Sequence, residues 1–176
     1  MTQPDREHAA VITVSDSVSA GLRVDMSGPA VALRLGQMGW SADVLVVPDE
    51  VAAISQEIAR LADSEKYAVV LTTGGTGVAV RDVTPEATRA VLDREIPGIG
   101  EQMRAEGLRF TPRSILSRGI AGTRGRTLVV NLPGSPTGAL QSLDCIVELI
   151  PHIVDLLNGK TEHEPAGETA DTMRTS

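Results

Sequence analysis

Aromatic side chains make up only 2% of the 176 residues. The core therefore has to come from Val, Leu, Ile and Ala, and a base-stacking platform for single-stranded nucleic acid is disfavoured. Cys145 is the one cysteine, which excludes an internal disulfide and points to a reducing compartment. His8, His152 and His163 lie far apart in the chain and show no metal-ligand spacing. Positive charge is in deficit. A net charge of −7 and a pI near 4.9 argue against nonspecific binding to nucleic acid or a membrane surface. No apolar run reaches the roughly 18 residues of a membrane span, and the opening MTQPDREH is too polar for a signal peptide. A cytoplasmic location is expected. What is present, 41% hydrophobic residues at a mean hydropathy of +0.02, fits a globular domain. A chain of this length buries roughly 70% of its unfolded surface and needs no staples.

One domain is expected over 7–159, after a loose terminus at 1–6 and before a polar, disordered tail at 160–176. Ala9–Val14 reads as a strand ending in Ser15-Asp16-Ser17, followed by a polar loop. A helix is expected over Pro29–Met38, capped by Ser27 and stopped by Gly39. Val44–Val47 is a second strand, ending at Pro48-Asp49-Glu50. The next helix runs to about Asp63, with Val51, Ile54, Ile58 and Leu61 at helical spacing. After a third strand, Thr84 is expected to cap a helix carrying Ala87, Val91 and Leu92. A more polar helix is expected over 98–107, and a hairpin over 120–130 turns at Thr123-Arg124-Gly125. A final helix starts at Ser135-Pro136 and carries Leu140, Leu143, Val147 and Ile150. Pro151 should kink or divide it, and Gly159 should end it. Strands alternating with helices define βαβ units and a parallel sheet.

The chain is organised around 67–86, YAVVLTTGGTGVAVRDVTPE. Tyr67–Thr73 is a buried β-branched strand that runs into Gly74-Gly75-Thr76-Gly77. Three glycines in four positions permit positive φ and close approach to bare amides, and successive N–H groups can form an anion nest. This is not a P-loop, because no lysine follows the glycines. It is not a dinucleotide fingerprint either, because Val80 stands where the last glycine or alanine belongs. Asp82 beside a phosphate nest would repel the ligand unless Mg²⁺ bridged the two. A plain strand-to-helix turn with a solvated aspartate is the competing reading.

In an open parallel sheet, ligands bind beyond the carboxyl ends of the strands. The strand ends here carry Ser15-Asp16-Ser17, Asp49-Glu50, the glycine turn with Asp82, and Pro133-Gly134-Ser135. Together they would make a cleft with two backbone anion sites and two or three carboxylates, a layout for metal-assisted phosphoryl or nucleotidyl transfer. Each part also has an ordinary role. Asp49 can favour a helix N-terminus, Asp16 can sit in a turn, and Ser135 can be a simple cap. Arg81, Arg113, Arg118, Arg124 and Arg126 are candidates for phosphate charge or plain surface residues. Cys145, Met38 and Met103 read as core.

The segments TTGGTG, RDVTPEAT, PGIGEQMR, LSRGIAG and LPGSP, in this order and spacing, resemble the molybdenum cofactor biosynthesis family, which includes MogA-type and MoaB-type proteins and the gephyrin G domain. The resemblance spans about Val11 to Leu157 and implies a three-layer α/β/α fold with one strand antiparallel to the rest. It implies molybdopterin and ATP as substrates, Mg²⁺ as cofactor, transfer of adenylate to the pterin's terminal phosphate, and release of pyrophosphate. It further implies a homotrimer that hands its product to a molybdate-insertion enzyme. By motif, Asp49 and Asp82 would be the catalytic, magnesium-holding pair. Gly74, Gly75, Thr76 and Gly77 would cradle phosphates, with Asp16 and Ser17 nearby. Pro133, Gly134, Ser135, Pro136 and Glu86 would line the substrate. The RDVTPEAT wording favours the adenylyltransferase branch. A non-catalytic molybdopterin carrier of the MoaB type is the alternative. A pyrophosphatase like that of the competence-damage family is a third, although such proteins usually carry a further domain.

Overall fold

The computed structural model describes residues 7–160. The expectations for 1–6 and for the tail from 161 onward lie outside the described residues. Thirteen labelled elements follow one another: β1 His8–Val14, α1 Asp16–Ser19, α2 Ser27–Gly36, β2 Ser41–Val47, α3 Val51–Asp63, β3 Val69–Thr73, α4 Thr84–Arg89, β4 Arg94–Glu95, α5 Pro97–Gly107, β5 Ala121–Arg124, β6 Thr127–Leu132, α6 Pro136–Asp144 and α7 Ile150–Leu157. The strands form one sheet in the order β2-β1-β3-β6-β5-β4. β2, β1, β3 and β6 are mutually parallel. β5 is antiparallel to both its neighbours, so it alone runs against the sheet. The expected architecture is therefore the observed one.

Every residue of β3 is buried, as its unbroken VVLTT demands of a central parallel strand. On one face, Val11, Val69, Leu71 and Val130 pack against α2, α5, α6 and α7 through Val31, Leu35, Met103, Leu143 and Val154. On the other, Ile12, Val70 and Val129 meet α3 and α4 through Ile54, Ile58, Leu61 and Ala87. The helical spacing of Ile54, Ile58 and Leu61 thus marks the buried stripe, while Val51 stays exposed. Trp40 and Tyr67 are buried at the periphery, and the aliphatic core is as the composition requires.

Several local expectations are corrected. Ser27 does not cap α2. It is buried, and its hydroxyl pairs with that of Thr73 at 2.8 Å. Asp25 takes the capping role, accepting from the Gly28 N–H at 3.0 Å. Gly39 does end that segment, at φ +88. The first strand ends at Val14, and Ser15-Asp16-Ser17 enters the single turn α1, with Ser15 as its cap. The helix after Thr84 stops at Arg89 rather than reaching Leu92, because the chain must turn into the edge strand β4. The last helix divides at Cys145-Ile146, ahead of Pro151. That proline opens α7 in its first turn, where a missing N–H costs nothing. Cys145 is half-buried, donates to the Ser142 carbonyl at 3.1 Å, and has its thiol pKa pushed up by burial. It packs against the core, as the sequence suggests.

Two polar clusters secure the sheet. Under α4, Asn131 Nδ2 donates to Thr72 Oγ1 at 3.0 Å and to Thr88 Oγ1 at 2.9 Å, and its Oδ1 accepts from the Ile120 N–H at 3.3 Å. Asn131→Ala strands these buried groups, and denaturant unfolding is expected to show a loss of about 1–3 kcal/mol. At the opposite end of the sheet, Asp43 accepts from Lys66 Nζ at 2.8 Å and from the Tyr67 hydroxyl at 2.6 Å. Those two bonds, Lys66 first, hold its pKa at about 2, against 3.8 ordinarily. A depressed carboxyl pKa stabilises the fold above the unfolded value and loses that contribution as pH falls through the folded one. The stability gap between wild type and Asp43→Asn is therefore expected to narrow on acidification from about pH 4 to about pH 2 in urea titrations.

Candidate active site at the carboxyl edge of the sheet

The expected cleft exists and is built from two glycine turns in contact. β3 delivers Gly74 and Gly75 at φ +99 and +66, a region that L side chains avoid. β6 delivers Pro133-Gly134-Ser135. A Cβ on Gly134 would stand 3.1 Å from the Gly74 Cα, so the turns touch where neither bears a side chain. Ser135 Oγ accepts from the Gly138 N–H at 3.1 Å and Pro136 opens α6, as the sequence predicts. Among the described residues, the amide N–H groups of Gly75, Thr76 and Gly77 donate to no protein acceptor. They line a cavity of about 480 Å³, together with Asp82, Pro133, Gly134 and Ser135. That volume suits a nucleotide- or pterin-sized ligand. Pro136 faces a smaller neighbouring cavity of about 210 Å³, which Gly74 and Gly134 also line.

Two carboxylates flank the first turn. A Cβ on Gly77 would lie 2.8 Å from Asp82 Oδ2, and one on Gly75 would lie 3.4 Å from Asp49 Oδ1. Asp82 Oδ2 also accepts from the Ala79 N–H at 2.9 Å, closing the loop on itself. Asp49 is not a helix cap: Glu50 holds that position and makes no side-chain cap bond. Instead Asp49 and Asp16 bond reciprocally. Asp49 Oδ2 accepts from the Asp16 N–H at 2.9 Å, and Asp16 Oδ1 accepts from the Asp49 N–H at 2.8 Å. Burial, and then the charge of Asp82, push the Asp49 pKa up. Two anionic groups and a row of free N–H donors thus share one edge, the requirement for holding a cation and a phosphate together.

The structure brings Gly75, Thr76, Gly77, Asp82, Pro133, Gly134 and Ser135 around one cavity. Gly74 and Asp49 stand directly behind the turn. Asp16 serves Asp49 and meets Arg81, while Ser17 Oγ lies 3.1 Å from Ser15 Oγ; neither lines the large cavity. Glu86 is engaged by Arg118 and does not line it either. Arg124 pairs with Asp63, at the other end of the molecule from the glycine turn. Arg113 does line the cavity, and so does Arg104, which donates to the Gly119 carbonyl at 3.1 Å. Two residues shape the site in roles other than those expected of them, Thr84 as a helix cap and Arg118 as a phosphate-charge or plain surface residue. Thr84, fully buried, donates its hydroxyl to the Gly74 carbonyl at 2.9 Å, and its N–H bonds the Gly75 carbonyl at 3.0 Å. Arg118 fastens the far side of the same turn. Thr84 lies inside the RDVTPEAT segment, and its presence there was the available signal.

Comparison with known proteins agrees with this geometry. A family model described as a probable molybdopterin binding domain matches residues 10–152. The chain is 39% identical over 155 residues to the molybdopterin adenylyltransferase of Helicobacter pylori strain J99, covering 86% of this chain and 88% of that one. The crystal structure of the molybdopterin biosynthesis enzyme MoaB from Thermus thermophilus superposes with a TM-score of 0.78 at 48% identity, covering 87% and 97%. The molybdopterin biosynthesis Mog protein of Mycobacterium ulcerans gives 0.80 at 38%, covering 86% and 99%. The chain belongs to the molybdopterin-binding-domain family of molybdenum cofactor biosynthesis.

Proposed function

We propose that the chain is a molybdopterin adenylyltransferase: the terminal phosphate of molybdopterin attacks the α-phosphorus of ATP, the bond to the β-phosphate breaks, and pyrophosphate leaves. The observation that carries this reading is a turn with free amides that lines a cavity together with Asp82, and that has the Asp49 carboxylate close behind Gly75. The naming of relatives such as that of Helicobacter pylori supports it.

The residues present fit Mg²⁺. Among the described residues no group of three or more His, Cys, Asp or Glu could cage a metal. Magnesium, however, commonly takes one or two carboxylates and fills its shell with water and substrate phosphates. When bound, the ion would offset the charge that builds on the phosphates during attack. Asp49 and Asp82 would hold it, Asp16 keeping Asp49 in place. The amides of Gly75–Gly77 would bind phosphate oxygens, and the Pro133–Ser135 turn would line the pterin end. No strong base is needed, since the attacking phosphate is already ionised near neutral pH. The reading includes a cytoplasmic homotrimer that hands its product to the molybdate-insertion enzyme.

The second reading is a molybdopterin-binding carrier of the MoaB type, without chemistry. Product analysis separates the two. With ATP labelled in the α-phosphate, label on the pterin supports the transferase, and pterin binding without label supports the carrier.

A further inference from the structure

Arg118 stands between the 3₁₀ segment Pro112–Leu116 and β5, and it is bonded to the glycine turn, to Asp82 and to Glu86. Its N–H donates to the Thr76 carbonyl at 2.8 Å. Its Nε donates to the Gly77 carbonyl at 2.7 Å, and one terminal nitrogen to the Asp82 carbonyl at 2.6 Å. The other terminal nitrogen holds the Glu86 carboxylate. Glu86 sits in the first turn of α4, two residues past Thr84, which is latched to the Gly74 carbonyl. A closed circuit results, running from Gly74 through Thr84, Glu86 and Arg118 back to Gly77 and Asp82.

We propose that Arg118 and Glu86 are a positioning pair, setting the Asp82 carboxylate and the free amides of the glycine turn without touching substrate. For its catalytic consequence this rests on the adenylyltransferase reading. A carbonyl held by a guanidinium fixes the whole plane of its peptide group. Pinning the Gly77 and Asp82 carbonyls therefore fixes the peptides on both sides of the Val78–Arg81 apex. That apex projects into solvent, with Val80 98% exposed, and no core packing holds it. The planar fork of arginine satisfies separated acceptors at once, whereas a lysine offers one point of charge. Both partners are partly exposed, 37% and 49% at the side chain. Their ion pair as such therefore adds little to stability, and their worth lies in geometry.

The test combines turnover with hydrogen exchange in the full chain. Arg118→Gln is expected to lower kcat about 100-fold, the cost of roughly 1 Å of misplacement, with the melting temperature nearly unchanged. Glu86→Gln, which leaves both carbonyl bonds in place, should lose about tenfold. The exchanged pair Glu86→Arg with Arg118→Glu should stay as impaired as Arg118→Gln, because glutamate has no donor for a carbonyl. The amide of Ala79, bonded to Asp82, should exchange about tenfold faster in Arg118→Gln, while that of Ala87 in α4 stays protected. If Arg118→Gln fails to fold, Arg118→Lys carries the same expectations. Restoration of activity by the exchanged pair would overturn the proposal, and so would lost activity with unaltered Ala79 exchange, which would mean direct contact with substrate. If the wild type transfers no adenylate, the function reading fails, and Ala79 exchange alone decides the positioning.

Discussion

Asp82→Asn and Asp49→Asn should each lose pterin-dependent adenylate transfer by a factor of about 1,000 while remaining folded. Asparagine keeps the shape and an acceptor oxygen. The Ala79 N–H can still be satisfied in the first variant and the Asp16 N–H in the second. What disappears is the negative charge that would face a metal ion. The two variants differ in stability for an electrostatic reason. Asp49 has its pKa raised, by burial first and by Asp82 second. A carboxyl with a raised folded-state pKa disfavours the ionised native state at pH values above it. Near neutral pH, Asp49→Asn should thus melt at or above the wild-type temperature although it is inactive. Removing the Asp82 charge should also lower the Asp49 pKa, which carboxyl-carbon NMR titration reads without any substrate. A melting temperature well below wild type in Asp49→Asn would mean that the carboxylate is a structural group.

Gly75→Ala should damage both the fold and the site. The new Cβ would stand 2.2 Å from Thr84 Oγ1 and 3.3 Å from Thr84 Cβ, at a φ of +66. Thr84 cannot retreat, since it is fully buried and bonded to Gly74. A cost of about 1–3 kcal/mol follows from the backbone strain alone, and the displaced turn loses its grip on phosphate. Adding Thr84→Ala removes the clash with the hydroxyl but leaves the tight Cβ contact and the strain and opens the latch, so activity should not return. Gly36→Ala is the control. No atom lies within 4 Å of its prospective Cβ and it sits in α2, so unfolding measurements should find it neutral or slightly stabilised. Equal destabilisation at both positions would show that the glycine turn is not sterically special.

The parts of this molecule that were legible in sequence are those governed by near neighbours. The buried run VVLTT, the Ser135-Pro136 helix start, the hairpin turn at Gly125 and the stripe Ile54-Ile58-Leu61 are all local patterns, and all appear in the structure. The glycine turn and Asp82 were legible because strand, turn and helix follow within twenty residues. What failed depended on distant partners. Thr84 and Ser27 both look like caps, yet one hydroxyl bonds Gly74, ten residues away, and the other Thr73, 46 residues away. β4 is two exposed residues, Arg94-Glu95, too short to carry a period. Sequence offers five arginines as equals, and only folding shows that Arg118 is committed to the glycine turn and Arg124 to Asp63. The single antiparallel strand was legible through family resemblance rather than through periodicity.

The most direct measurement is pyrophosphate release from ATP and Mg²⁺ by the wild-type chain, with and without molybdopterin. Release is predicted only when the pterin is present, one pyrophosphate per pterin adenylylated, with Asp49→Asn and Asp82→Asn close to background. Pterin bound with no pyrophosphate released would contradict the transferase reading. The carboxylate pair would then flank a carrier's binding site instead of a site of nucleotidyl transfer.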